Sequence, residues 1–313
     1  MENFLISFNV VFPIFTLMVI GFFLKKINLF NDTTVKQVNA SVFKVFLPAS
    51  IFKNVYESEI AEVFNPKLIA FSVICVLITI LILFVVIPIF EKDNKKRGVL
   101  IQGIFRANFV IFGIPVSQAL CGDAVSGSAA VLIAVIIPIF NFAAVIALEV
   151  FNRNKINFLK IIKGIITNPL IISSLLGLVI NFAGIKFPAV VESSVKNLAS
   201  IATPLALVML GASINLKAIR KNVGELLVGV LGKLVIVPAI CLSLAAFVFG
   251  FRGAELAILI SLFASPAAVS SFTMAQQMGG DDELAGQLVM FGTVASVITM
   301  FLWIFTAMQL GLI

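Results

Sequence analysis

The sequence predicts an all-α integral membrane protein of about ten transmembrane helices, arranged as two inverted five-helix repeats in which helices four and nine are broken and cross. Three observations lead there: an excess of apolar residues, their division into ten long runs, and prolines that recur half a chain apart.

Of the 313 residues, 61% are hydrophobic and 12% charged. A soluble domain is roughly 45–50% apolar and about 25% charged, and the surplus is too large for a soluble core to bury. A bilayer removes the difficulty, because a spanning helix needs roughly 20 mostly apolar residues. The spans expected are 4–24, 31–53, 67–90, 98–120, 125–150, 168–185, 192–213, 224–250, 254–278 and 284–311. The first apolar run is followed, not preceded, by Lys25-Lys26, the reverse of a signal peptide, so it is expected to be a retained first helix. The basic stretch Asn154 to Thr167 places Phe158, Ile161, Ile162, Ile165 and Ile166 on one face and is expected to lie in the membrane interface.

Orientation follows from the loops. Those joining spans 1–2, 3–4, 5–6, 7–8 and 9–10 hold thirteen Lys and Arg, and the other four hold five. Basic residues accumulate on the cytoplasmic side, so the protein is expected in the cell membrane with both termini outside. The net charge of +7 has the same source and does not call for nucleic acid.

The repeat is read from prolines. Pro13 and Pro169, like Pro48 and Pro204, are 156 residues apart; Pro88 and Pro238 are 150 apart, and Pro115 and Pro266 are 151 apart. Half a chain is five spans, an odd number, so the second half must enter the membrane inverted, as in many secondary transporters. The organisation expected is a first repeat at 1–153, an interfacial basic linker helix at 154–167 and a second repeat at 168–313. Each of spans four and nine carries an internal proline, which removes a backbone donor and clashes with the preceding turn.

Polar groups at depth are the candidates for chemistry. Asn108 lies ten residues into span four, about 15 Å at ~1.5 Å per residue, half of a roughly 30 Å hydrocarbon core. Lys36, Lys44, Arg106 and Lys233 also fall inside spans, with no acidic residue at comparable depth. Buried cations without internal partners point to an anionic ligand, although such a lysine can also snorkel to the surface. Span nine concentrates hydroxyls and amides, Ser265 among them, around Pro266. The chain has no His, and Cys75, Cys121 and Cys241 are scattered, which removes His-based catalysis and the common metal sites. Asp281-Asp282-Glu283 is the sole acidic cluster and is expected to start a helix. No metal or cofactor is expected.

At Asn108-Phe-Val-Ile-Phe-Gly-Ile-Pro115 the chain resembles the auxin efflux carrier family, the plant PIN-type exporters and their bacterial relatives. Asn168-Pro169 with Ser173-Ser174-Leu-Leu-Gly177, and Ser265-Pro266-Ala-Ala-Val-Ser-Ser-Phe272 followed by Phe291-Gly292, are similar to its spans six, nine and ten. The resemblance implies a dimerising scaffold, hence a homodimer, and a mobile domain containing the crossing of spans four and nine. It implies that Asn108 binds the substrate carboxylate, and that Pro115 and Pro266 break the helices, with Gly113 letting backbones approach. Ala267 and Ala268 stand where the family pattern has a polar residue, which argues against auxin as the substrate.

The function expected is therefore a secondary transporter, an efflux carrier for a small organic anion, with Asn108, Arg106, Lys44 and Ser265 as substrate-binding residues. A sodium-coupled bile-acid-type symporter would share the plan but would need sodium ligands at depth. A membrane-embedded lipid-modifying enzyme would need clustered carboxylates or a nucleophile–base pair at a membrane face.

The orientation predicts that a cysteine placed at Glu2 reacts with an impermeant thiol reagent added outside sealed cells and one at Asp93 does not; labelling at Asp93 would reverse it.

Overall fold

The computed structural model describes residues 2–57, 65–151, 158–213 and 222–313. Among them the chain is helical throughout, with no strand and a single isolated bridge. The helices are α1 (Glu2–Lys26), α2 (Asp32–Ser41), α3 (Leu47–Tyr56), α4 (Pro66–Phe90), α5 (Asn94–Phe105), α6 (Ile114–Cys121), α7 (Ser126–Phe151), α8 (Phe158–Ile166), α9 (Pro169–Phe182), α10 (Ala189–Ser213), α11 (Val223–Leu231), α12 (Val237–Ser243), α13 (Gly253–Ala264), α14 (Ser270–Met278) and α15 (Asp282–Gln309). Among the described residues, five stretches are long and apolar enough to cross a membrane: Pro66–Phe90, Val131–Phe151, Ala189–Ser213, Val223–Val248 and Asp282–Gln309. The other expected spans are helical too, the first as the continuous α1 and the rest as shorter or interrupted pieces. The linker expected at 154–167 contains α8, and its residues 154–157 lie outside the described residues.

Local chemistry explains where many helices begin. Asn31, Asn65, Asp93, Asn168 and Asp281 each sit just before a helix and accept a hydrogen bond from a first-turn amide. At Pro66 and Pro169 the proline occupies the first helical position, where no N–H is needed. Asp281 is thus the cap of α15, the role expected of the acidic cluster.

Three prolines have a different effect. Wide π turns at Val42–Phe46, Phe109–Gly113 and Gly232–Ile236 end two residues before Pro48, Pro115 and Pro238. A proline inside a helix lacks a donor and presses on the carbonyl four residues back; widening the turn by one residue relieves both problems without ending the helix.

The packing defines two groups of helices. In one, α1 lies against α10, and α3 lies against α9 and α10. In the other, α5 packs on α4 and α7, while α13 packs on α6, α12 and α15 and α14 packs on α15. Contacts of α1 with α15 and of α7 with α9 join the groups. Outward faces are apolar: on α4, Leu81, Val85 and Ile89 are 66%, 66% and 69% exposed. A continuous face of this kind needs lipid rather than water around it.

The α1–α10 contact is unusually close. A Cβ on Gly211 would lie 1.9 Å from the Met18 carbonyl oxygen, and one on Gly21 would lie 1.9 Å from that of Val208. Small residues of this kind let membrane helices approach until their backbones touch. Gly211→Val is expected to separate the two helices and destabilise the fold by about 1–3 kcal/mol, read as a lower melting temperature of the detergent-purified protein; an unchanged melting temperature would show that the contact is dispensable.

Candidate functional site

The site is built where two interrupted helices meet. α13 ends at Ala264, and Ser265 turns extended with φ −63° and ψ 148°. Pro266 accounts for this, since the residue before a proline is driven out of the helical region and the proline cannot donate. α5 ends at Phe105 with no proline nearby, and Arg106 is extended at φ −81° and ψ 113°. Here the cause is tertiary. The Asn108 amide donates to the Pro266 carbonyl at 2.8 Å, and the Ala268 amide donates to the Arg106 carbonyl at 3.3 Å. Ala107 and Ala267 face each other in an antiparallel bridge. Each break satisfies backbone groups the other leaves open, as hydrocarbon depth requires.

These positions correct part of the sequence reading. Pro266 does fall in the break of the second half. Pro115 does not break its helix: it lies in the first turn of α6, beyond the π turn that follows the interruption. The middle residues of the two breaks, Ala107 and Ala267, are 160 residues apart, whereas Pro115 and Pro266 are 151 apart. The two prolines therefore do not occupy matching places. Gly113 makes the expected close approach, because a Cβ there would meet the Ser261 carbonyl oxygen at 2.6 Å and Ser265 Oγ at 2.8 Å.

A cavity of about 80 Å³ opens beside the crossing, between it and the helices α3, α7 and α10. That is several times the roughly 10–15 Å³ one water molecule needs. Asn108 and Arg106 both line it and are buried. Asn108 Nδ2 has no hydrogen-bond partner, so a buried donor is left waiting for an acceptor. Arg106 donates to Asn141 Oδ1 at 2.6 Å and contacts Met274 Sδ. Among the described residues no carboxylate pairs with it, and the guanidinium charge stays uncompensated inside the protein. The helix starts at Phe109 and Ser270 also line the cavity, presenting the positive ends of their dipoles.

Two expected ligands are elsewhere. Lys44 is exposed and does not line the cavity. The cavity-facing stripe of α3 is Leu47, Ser50, Ile51 and Asn54. In an unbroken helix Lys44 would continue that stripe, but it sits inside the π turn, whose extra residue turns it away from the cavity side. Ser265 is fully buried, with its hydroxyl donating back to the Ser261 carbonyl at 2.5 Å, so it closes the end of α13 rather than facing a ligand. Lys233 is buried in its π turn, away from the cavity.

Other residues were not singled out by the sequence reading. Asn141, the one strongly polar residue in the middle of α7, holds Arg106 and donates to Ser174 Oγ of α9 at 3.3 Å. The isolated Asn in Phe140-Asn141-Phe142 was a usable signal, of the same kind as Asn108. Buried Asn39 of α2 donates to Gln276 Oε1 at 2.6 Å and accepts from Thr273 Oγ1 at 2.9 Å, and Gln276 donates to Asp282 at 2.9 Å. This cluster ties the two helix groups together at the end of α14. Among the described residues no group of His, Cys, Asp and Glu could hold a metal ion.

The family model described as membrane transport protein matches residues 6–304. The chain belongs to this family, that of the auxin efflux carriers. An uncharacterized transporter of Methanocaldococcus jannaschii is 24% identical over 306 residues, covering 96% of this chain and 98% of that one. An uncharacterized transporter of Methanothermobacter thermautotrophicus is 21% identical over 302 residues, covering 95% and 97%. A Rhizobium meliloti protein named "Putative malonate transporter" is 24% identical over 301 residues, covering 93% and 92%. This member of the auxin efflux carrier family is thus a multi-pass membrane transporter and not an enzyme.

Asn141→Leu is expected to leave a buried guanidinium without its amide partner and to destabilise the transporter by about 1–3 kcal/mol. Adding Arg106→Met should recover most of that loss, a coupling readable in a double-mutant cycle of melting temperatures; additive losses would mean that the two side chains act independently.

Proposed function

We propose that this transporter moves a small organic anion, a carboxylate, across the cytoplasmic membrane by alternating access, with the membrane potential driving net efflux. The observation that carries the reading is the pairing in one cavity of an uncompensated buried cation, Arg106, with an unpartnered buried amide, Asn108 Nδ2. A carboxylate supplies the missing charge and the missing acceptor together. Phe109 and Ser270 at the two helix starts line the same cavity, where first-turn amides can donate to the same carboxylate. At 100 mV the potential supplies about 2.3 kcal/mol for each charge moved, so no ion gradient has to be invoked. The malonate named for the Rhizobium relative is a carboxylate of the class proposed.

The two groups of helices support a ten-helix inverted repeat. Counting helical spans, the contact of the first with the seventh (α1 with α10) matches that of the sixth with the second (α9 with α3). The contact of the fourth with the fifth (α5 with α7) likewise matches that of the ninth with the tenth (α14 with α15). In this reading α1, α3, α9 and α10 form the static, dimer-forming part and the crossing belongs to the moving part. The cavity lies between them, so a relative shift would open it to alternate sides. The Asn39–Thr273–Gln276 hydrogen bonds would then close the side that holds the 1–2 and 9–10 loops, the cytoplasmic side if both termini are outside.

A sodium-coupled symporter is a weaker reading, because among the described residues the sole charged group lining the cavity is itself a cation and would repel a sodium ion there.

The test is uptake of labelled carboxylates, malonate among them, into proteoliposomes at a set potential. Asn108→Ala removes a hydrogen bond to a charged group, worth about 1.5–3 kcal/mol, and should weaken apparent affinity by roughly ten- to more than hundredfold while the protein still folds. Unchanged affinity in that variant, or transport of organic cations in place of anions, would refute the assignment.

A further inference from the structure

We infer that the cargo is bound as a monoanion, with its single carboxylate on Arg106 and Asn108 and an uncharged hydrogen-bonding end on Ser50, Asn54 and Thr203. This rests on the carboxylate reading above and adds the charge state and the second anchoring point.

The cavity is lined from α3, α7, α10 and both arms of the crossing, and among the described residues Arg106 is its sole titratable or charged one. Helix dipoles do not add a second net positive charge. The helices starting at Phe109 and Ser270 bring partial positive charge, and those ending at Phe105 and Ala264 bring matching partial negative charge to the same crossing. One carboxylate therefore neutralises the site, and a second would be an uncompensated ion at membrane depth, which is strongly unfavourable.

The wall opposite the crossing is polar but neutral. Ser50 and Asn54 of α3 and Thr203 of α10 line it, half-buried, and among the described residues none of them has a hydrogen-bond partner. Hydroxyl and amide groups of this kind can donate to and accept from a neutral carboxyl, amide, carbonyl or hydroxyl. They belong to the helix group that does not carry the crossing, so a cargo spanning the cavity touches both groups at once. A dicarboxylic acid would meet these demands only with one carboxyl protonated. At about 80 Å³ the cavity suits a small molecule of this type.

The sign of the pH dependence follows. If binding requires a proton on the second carboxyl, affinity for a dicarboxylate is full below that group's own ionisation and falls as pH rises above it, by about tenfold per pH unit. A monocarboxylate with a neutral amide in the same place has no such proton and should show no slope.

The experiment compares malonate and succinate with their half-amides, malonamate and succinamate, in proteoliposomes of the wild-type protein at fixed membrane potential. Dicarboxylate uptake should fall about tenfold per pH unit above the second ionisation, with half-amide uptake flat. Calorimetry in buffers of different ionisation enthalpy should show one proton taken up per dicarboxylate bound and none per half-amide. Asn54→Lys, which adds a second cation to the neutral wall, should flatten the dicarboxylate slope. Dicarboxylate uptake independent of pH, or half-amides refused while dianions are carried, overturns the monoanion inference and leaves the carboxylate reading standing. An equal slope for the half-amides also overturns it, since the proton would then belong to the protein. Failure of all four compounds to bind overturns both readings.

Discussion

Backbone hydrogen bonding at membrane depth is the constraint from which the rest of the structure follows. An interrupted helix in hydrocarbon leaves amides and carbonyls that lipid cannot satisfy. Here two interruptions solve the problem for each other: the strand-like residues Arg106–Asn108 and Pro266–Ala268 exchange two hydrogen bonds across the Ala107–Ala267 bridge. Alanine at both central positions, with Gly113 against Ser261, lets the two chains come this close. Once they are paired, four helix ends are held at one point, and the side chains of Arg106 and Asn108 are held beside them. The cavity is a consequence of the crossing, not an addition to it.

In the function proposed above, a fixed charge at that point gives the cavity its selectivity for anions. Arg106 is kept in place by Asn141 and Met274, neither of which neutralises it. Such a charge is unfavourable when the cavity is empty and is compensated when an anion enters. Binding energy is thereby linked to occupancy, which any carrier that must distinguish its loaded from its empty form requires. The hydrogen bonds from Asn141 to Ser174 and from Asn39 to Gln276 run between the two helix groups.

The three prolines that follow π turns show how a helix can tolerate a proline and still be changed by it. The turns before Pro48 and Pro238 keep their helices continuous yet shift the phase of the residues before them, while the one before Pro115 opens its helix after the break. Lys44 is the clearest consequence. Helical spacing alone places it above Leu47 and Ile51 on the cavity side, and the extra residue of the π turn carries it to the exposed face. Residue spacing could not reveal this, because the turn geometry depends on how Pro48 is accommodated.

Composition and hydropathy determined that the chain is a membrane protein, and capping residues and loop charges marked most helix limits, because these depend on local chemistry and on transfer from water to lipid. The run from Asn108 to Pro115 identified the family, and the depth of Asn108 and Arg106 singled out the two residues that the structure brings to the cavity. The proline offsets were a weaker guide: Pro266 marks a break because it acts on its own neighbour Ser265, but Pro115 does not. The break at Arg106 to Asn108 has no local cause in the sequence and exists because Pro266 and Ala268 pair with it from the other half of the chain. For the same reason Ser50, Asn54 and Thr203 did not stand out. Each is an ordinary polar residue in a helix until the folding of separate spans around the crossing turns it toward a shared space, and that arrangement is decided by tertiary contacts alone.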